Sequence, residues 1–330
     1  MNKRSNKSIV VVNDLTKSYD GAVVVDSISF EVKKGEVFGI LGPNGAGKST
    51  TINMCSTILP VTDGEVFING FSILSQRDEV RKSIGIVFQD SSLDEWLTAE
   101  ENLRFHAKLY GLTNNEFKKR KQEVLELVNL WNRRKDVVKN FSGGMKRRLE
   151  IARGLIHYPA VLFLDEPTLG LDPQTRANLW NYILRLKYEK EMTIFMSTHY
   201  MDEAEHCDRI AIIDHGKIVA LYKPREHKKQ VGEDIISMTS KQKTELKKEL
   251  EERYKKEVKE KDDSLQIEVE DGEKFLPRLF NELTTKIDSI ELRKPTLDDV
   301  FLSLTGRAIR EEEISTKKRM HQPIQIRQRR

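Results

Sequence analysis

The sequence predicts an α/β protein: a phosphate-loop core with an antiparallel β subdomain, a helical insert, and a small α+β domain at its carboxyl end. Three observations predict this. Apolar runs at 37–41, 84–88, 160–164 and 193–196 alternate with helix-spaced segments, the pattern of parallel strands buried on both faces. From 98 to 138 apolar residues recur at helical spacing, among them Leu103, Ala107, Tyr110, Val124, Leu127, Val128 and Trp131, with no strand signal. Beyond a polar stretch at 224–233, strands and helices alternate again over about 70 residues, a usual size for a small domain.

The chain has 330 residues, 38% hydrophobic and 33% charged, enough for one large core or two smaller ones under a charged surface. The net charge of +4 is mild, and part of the basic excess sits at the ends, in Lys3, Arg4 and 317–330. Such ends suit anionic lipid or nucleic acid, or plain solvent; residues 307–330 are read as a basic, disordered tail. Cys55 and Cys207 are too few for a disulfide framework or a metal cluster, which fits a reducing compartment. Residues 1–8 lack the apolar core of a signal peptide. No apolar run approaches the ~18 residues of a membrane span, so a membrane role is expected to come through a partner.

Taken in order, 9–12, 22–25 and 28–32 are β-rich and read as an antiparallel sheet, with Tyr19 between the first two. That ring either packs or stacks on a base. Next comes Gly42-Pro43-Asn44-Gly45-Ala46-Gly47-Lys48-Ser49-Thr50, a G-x-x-x-x-G-K-[ST] loop between a strand and a helix. Its glycines let the backbone curl N–H groups around an anion, and the following helix points its positive end there. Lys48 is placed to meet β- and γ-phosphates and Ser49 to meet Mg²⁺. Residues 63–70 read as turn, strand, turn. Gln89 follows the strand at 84–88; it is a plain loop residue unless that strand lies beside the phosphate loop. Lys118 to Lys121 reads as a solvated basic face.

Ser142-Gly143-Gly144 precedes a helix read at 146–158, with Ser142 as its cap. Two glycines there are either an ordinary capped turn or a second set of bare N–H groups for an anion. The strand at 160–164 ends in Asp165-Glu166, where α/β sheets place their sites. Unpaired acids on a buried strand are costly, so Asp165 is read as a Mg²⁺ ligand and Glu166 as the group that polarises an attacking water. Pro173 starts a helix after Asp172. His199 closes the strand at 193–196; the other six histidines read as surface or packing residues. Asp214-His215-Gly216 marks a hairpin. The carboxyl module reads as strands at 235–239, 265–269 and 287–292, helices at 242–260 and 273–285, and a last helix at 295–305.

In this order, Tyr19, the loop at 42–50, Gln89, the helical block, Ser142-Gly143-Gly144, Asp165-Glu166, Asp172 and His199 resemble the nucleotide-binding subunit of ATP-binding cassette (ABC) transporters over roughly 9–222. The Ser-Gly-Gly signature just ahead of an acidic strand separates this family from other phosphate-loop ATPases. The resemblance implies that Tyr19 stacks on adenine and that Gln89 contacts Mg²⁺ and water while sensing a membrane partner. It implies that Ser142, Gly143 and Gly144 grip the γ-phosphate of ATP held by a second copy. Asp165 then binds Mg²⁺, Glu166 is the base, Asp172 crosses the dimer interface and His199 senses the γ-phosphate. Two departures stand out. The signature has Phe141 and Met145 where Leu and Gln are common, and the loop before Asp172 reads Leu169-Gly170-Leu171.

The segments 93–98, 197–205 and 295–301 are similar to the daunorubicin-type drug-export ATPases of bacteria and archaea; lipid, polysaccharide and nodulation-factor exporters have similar ATPases. The expectation is an ATP- and Mg²⁺-dependent exporter subunit, a homodimer on the cytoplasmic face of the cell membrane. Its partner is an integral-membrane permease in a separate chain, and no nucleic acid is expected. The alternatives are an importer ATPase and a soluble ABC ATPase acting on ribosomes or DNA. The domains read as 9–225 for the ATPase, with a helical subdomain at about 98–158, and 232–306 for the accessory module.

Overall fold

The computed structural model describes residues 7–224, 234–261, 263–293 and 301, and the chain divides after Leu221 into two units. In the first, β1 (Ser8–Tyr19) and β2 (Ala22–Lys33) form an antiparallel hairpin. Its turn is Asp20-Gly21, with φ of 47° and 84°, the paired left-handed backbone of a tight hairpin. The two strands expected at 22–25 and 28–32 are halves of β2. Ser27, at φ 49°, and register shifts opposite Leu15 and Lys17 bulge the strand without ending it. Tyr19 therefore sits at the hairpin tip. With β4 (Asp63–Ile68) and β5 (Phe71–Ser72) the sheet order is β2-β1-β4-β5. Gly64, expected in a turn, lies inside β4: a Cβ there would meet the Asp14 carbonyl oxygen at 2.4 Å, so β1 can approach only a glycine.

The apolar runs build a second sheet from β3 (Val37–Leu41), β6 (Ile84–Val87), β7 (Val161–Asp165), β8 (Thr193–Thr198), β9 (Arg209–Asp214) and β10 (Lys217–Tyr222), in the order β10-β9-β3-β8-β7-β6. β3 pairs in parallel with β8 and β9, and β7 with β6 and β8. Every residue of β3, β7 and β8 is buried, because both faces are covered. Alternate side chains serve different cores. Leu162 and Leu164 pack with the helical block, while Val161 and Phe163 pack with the antiparallel sheet. The second core holds Phe30 stacked on Phe38 at 5.2 Å, with Phe195 edge-on to Phe38 at 5.5 Å.

Around this sheet lie α1 (Lys48–Cys55), α2 (Arg77–Ser83), α3 (Ala99–Leu109), α4 (Asn114–Leu127), α5 (Gly143–Leu155), α6 (Pro173–Lys190) and the short α7 (Met201–Ala204). α3 and α4 begin with capping boxes, Thr98 with Glu101 and Thr113 with Glu116, which satisfy the first N–H groups from both directions. α5 starts three residues before its expected place, so Gly143 and Gly144 lie in its first turn. Its far end touches backbone: a Cβ on Gly85 of β6 would meet the Gly154 carbonyl oxygen at 2.2 Å. His106 and His157 pack with Tyr110, whose ring stacks on His157 at 3.7 Å. Burial holds both imidazoles down at about 4, so they pack as neutral rings, as expected of them.

The second unit is an antiparallel sheet, β12-β13-β11-β14, made of β11 (Asp234–Thr239), β12 (Lys259–Lys261), β13 (Ser264–Val269) and β14 (Ser289–Arg293), with α8 (Lys243–Tyr254) and α9 (Gly272–Glu282). Its own core includes Ile236, Met238, Leu246, Leu250, Leu265, Ile267 and Leu279. α8 ends six residues before the expected 260, and the charged edge strand β12 follows. The domain junction at 225–233, the tail 307–330 and, apart from the buried helical Phe301, the last helix at 295–305 lie outside the described residues.

Candidate active site

Four neighbouring strands, β3, β8, β7 and β6, end on the same side of the sheet, and each carries a residue singled out above. Beyond β3 the backbone curls through Gly45 and Gly47, at φ 83° and 105°. Gly42 and Gly47 have no room for a side chain: a Cβ would meet the Ile213 oxygen at 2.3 Å and the Val24 oxygen at 2.9 Å. Pro43, Asn44 and Ala46 complete the curl, with the Ala46 N–H donating to the Pro43 oxygen at 3.2 Å. Gly47 caps α1 without a side-chain hydrogen bond, which leaves the helix N-terminus aimed into the curl. Lys48 and Thr50 continue into that helix.

Lys48 is buried, and its Nζ donates to the Gly42 and Pro43 oxygens at 2.9 and 3.0 Å and lies 3.2 Å from Glu166 Oε1. His199 Nδ1, from the end of β8, lies 3.2 Å from Glu166 Oε2. Burial works to raise the Glu166 carboxyl, but His199 and Lys48 outweigh it and hold it below the usual carboxylate range. Asp165 Oδ1 accepts from Ser49 Oγ at 3.0 Å and from Ser197 Oγ. Burial pushes this carboxyl up, the two hydroxyls pull against it, and Glu166 adds to the rise. The Ser197 oxygen also accepts the Glu166 N–H at 3.0 Å, pinning a residue whose φ is 44°. The chain thus gathers a phosphate curl, a cation, an oxygen set suited to a hard divalent ion, and a carboxylate held between a lysine ammonium and an imidazole.

Other expected residues lie further out. Gln89 is exposed, two residues past β6. β6 pairs with the acid-bearing β7 and is separated from β3 by two strands, β8 and β7, so its neighbour is the acids and not the phosphate loop. Tyr19 is exposed at the hairpin tip, 4.8 Å from Lys17 Nζ. Ser142 caps α5 through the Met145 N–H at 3.3 Å, and Gly144 packs against Thr175, where a Cβ would come within 2.3 Å. Asp172 caps α6 by accepting the Thr175 N–H at 3.0 Å. Those hydrogen bonds from Thr175 lower its carboxyl.

Sequence reading missed three buried polar residues. Ser197 sits in register opposite Asp165, across a strand pair that no local pattern reveals. Glu203 accepts from Thr168 and, at 2.7 Å, from Thr198, tying the loop after Glu166 to the strand before His199. Arg147 hides in the basic run 146–148, where only its i,i+3 spacing to Glu150 sets it apart.

This fold and site define an ABC-type ATPase. The family model described as "ABC transporter" matches residues 25–169, and that of "ATP-binding protein DrrA1-3-like, C-terminal domain" matches 223–305. The chain belongs to the ATP-binding subunits of ABC transporters and is an ATP-binding, ATP-hydrolysing protein. It is 41% identical to the linearmycin resistance ATP-binding protein of Bacillus subtilis, over 90% of this chain and 98% of that one. It is 36% identical to the daunorubicin/doxorubicin resistance ATP-binding protein of Streptomyces peucetius, over 93% and 94%. Among solved structures it resembles cbiO1 of Clostridium perfringens, part of an ABC transporter complex, at 29% identity and a TM-score of 0.63, covering 74% of this chain and 95% of that one. A dimeric ATP-binding cassette bound to ADP and Pi matches at 29% identity and a TM-score of 0.59, over 66% of this chain and 99% of that one.

Proposed function

We propose that the chain energises an exporter of drug-like or lipid-like amphipathic molecules, working as a head-to-tail homodimer on the cytoplasmic face of a membrane beside a separate integral-membrane permease. The observation that carries the reading is the convergence of Lys48, Glu166 and His199 within 3.2 Å contacts at three strand ends. Gly42 to Thr50 would cradle the phosphates, with Lys48 meeting the β- and γ-oxygens and Tyr19 under the adenine. Mg²⁺ fits Ser49 and Asp165, with Gln89 as the further residue that would reach it in this reading, and when bound would neutralise phosphate charge. Two protein oxygens suit an ion that keeps most of its shell for water and phosphate. Glu166 would orient water and take its proton, while His199 holds the carboxylate and answers to the γ-phosphate.

Ser142, Gly143 and Gly144 would meet the nucleotide of the second subunit, and Asp172 would lie at that junction. The relative solved as a dimer supports this arrangement. The names of the relatives, resistance to linearmycin and to daunorubicin/doxorubicin, and Nod factor export, support export over import. No described helix is long and apolar enough to cross a membrane; in this reading the translocation path belongs to the permease. Trp96, Phe105 and Leu109, exposed on or near α3, suit an apolar contact with that partner. Residues 9–225, with the helical subdomain at 98–158, form the ATPase in this reading, and 232–306 an accessory domain.

Glu166→Gln tests it. The variant keeps size and hydrogen bonding and loses the base. It is expected to bind Mg-ATP, to hydrolyse it at least about a hundredfold more slowly, in line with general-base removal, and to elute as a dimer with Mg-ATP. A variant that stays monomeric both alone and with its permease rules out the paired arrangement.

A further inference from the structure

Arg147 is a buried cation one helical turn behind Gly143 on α5. Its neighbours in the basic run face elsewhere: Lys146 pairs with Glu95, and Arg148 donates to the Val128 oxygen at 3.0 Å. All five guanidinium N–H groups have acceptors. Nε donates to the Pro167 oxygen at 2.6 Å, and Nη2 to the Asp165 and Glu166 oxygens at 3.0 and 3.1 Å. Nη1 donates to the Phe88 oxygen, just ahead of Gln89, and to Glu150 Oε2 at 2.9 Å. The other oxygen of Glu150 accepts the Ser92 N–H at 3.1 Å, on the far side of the Gln89 loop.

One planar fork therefore holds three consecutive carbonyls around Glu166, including the left-handed turn at that residue, and the near end of the loop that carries Gln89, while Glu150, paired to the fork, holds the far end. A buried guanidinium with a single carboxylate partner is an expensive way to hold a helix, and three apolar contacts would do that better. What the fork adds is a fixed distance between two backbones and the helix that begins with Ser142-Gly143-Gly144.

We propose that Arg147, with Glu150, is a positioning residue for hydrolysis: it locks the Glu166 turn and the Gln89 loop into one unit and ties that unit to the signature end of α5. Seating of the signature on the second subunit's nucleotide is thereby felt at the catalytic carboxylate of the same chain. The inference rests on the role given to Glu166 above. A lysine keeps the charge but has three donors on a point, so it cannot span the same acceptors.

The test compares Arg147→Lys, the double variant Arg147→Met/Glu150→Gln, which leaves no buried charge uncompensated, and Glu166→Gln, each full length. Steady-state hydrolysis of Mg-ATP and equilibrium binding of ATP are measured. The expected result for both Arg147 variants is a kcat at least tenfold lower, with KM and ATP affinity within twofold. Amide exchange should accelerate together at 88–92 and 165–168 and stay unchanged in β3. A double variant with wild-type kcat, or a kcat loss matched by an equal rise in KM, overturns the inference. Should Glu166→Gln itself hydrolyse normally, the base assignment fails instead, whatever the Arg147 variants do.

Discussion

Asp165 and Glu166 are adjacent, yet their carboxyls are pushed in opposite directions. The sign matters for stability. Glu166 titrates below an unfolded carboxylate, so its contacts with Lys48 and His199 stabilise the fold above that range and are lost as pH falls through the folded value. Asp165 titrates above it, so its ionisation at pH 7 costs stability that returns on acidification. Asp165→Asn keeps an oxygen to accept from Ser49 and Ser197 and removes the charge. Without nucleotide it is expected to melt a few degrees above wild type at pH 7, by a margin that shrinks near pH 4, while Mg²⁺-dependent hydrolysis collapses. Equal melting at both pH values would contradict the assignment. Lys48→Ala removes charge-assisted contacts worth about 1.5–3 kcal/mol, so titration should show ATP affinity at least tenfold weaker. Lys48, Ser49, Asp165, Glu166 and His199 were legible because each sits at a strand end or in a short fixed pattern. Ser197 and Arg147 were not, because what they do depends on partners 32 and 18 to 59 residues away.

At the scale of elements, the same division holds. β3, β7 and β8 could be read directly, since burial on both faces writes continuous apolar runs. The bulge at Ser27 could not, because it is set by register against β1. The short strand β12 is Lys-Glu-Lys, charged as an exposed sheet edge should be, and α8 stops at a left-handed Lys255 with no glycine to announce it. One contact between elements lends itself to experiment. A Cβ at Gly144 would lie 2.3 Å from Thr175 Cγ2, so Gly144→Ala must push α5 from α6 or turn the threonine. Overpacking of this kind costs about 1–3 kcal/mol. Hydrolysis should fall with it, and Thr175→Ser, which deletes the clashing methyl, should restore both melting temperature and rate. No recovery in the double variant would place the fault in the signature's phosphate contact instead.

For the molecule as a whole, each unit has its own core, and every strand end of the candidate site lies in the first. A chain ending near residue 231 is expected to fold and to bind ATP with wild-type affinity; an insoluble product, or one that fails to bind, would show that the second unit completes the first. Within the first unit, the contact between Gly85 and the Gly154 carbonyl has a mechanical meaning. It seats the rear of α5 directly on the backbone of β6, so a tilt of the helix would turn about this point. From there to Gly143 the helix is a stiff arm about 16 Å long at 1.5 Å per residue. A tilt of about 10° at the glycine pair would swing the signature by roughly 3 Å along an arm of that length, while Arg147, nearer the pivot, moves less. A large stroke at the proposed subunit junction and a small adjustment at Glu166 can then be one rigid motion. Widening the bearing, with alanine at Gly85, should blunt the stroke before it touches nucleotide binding.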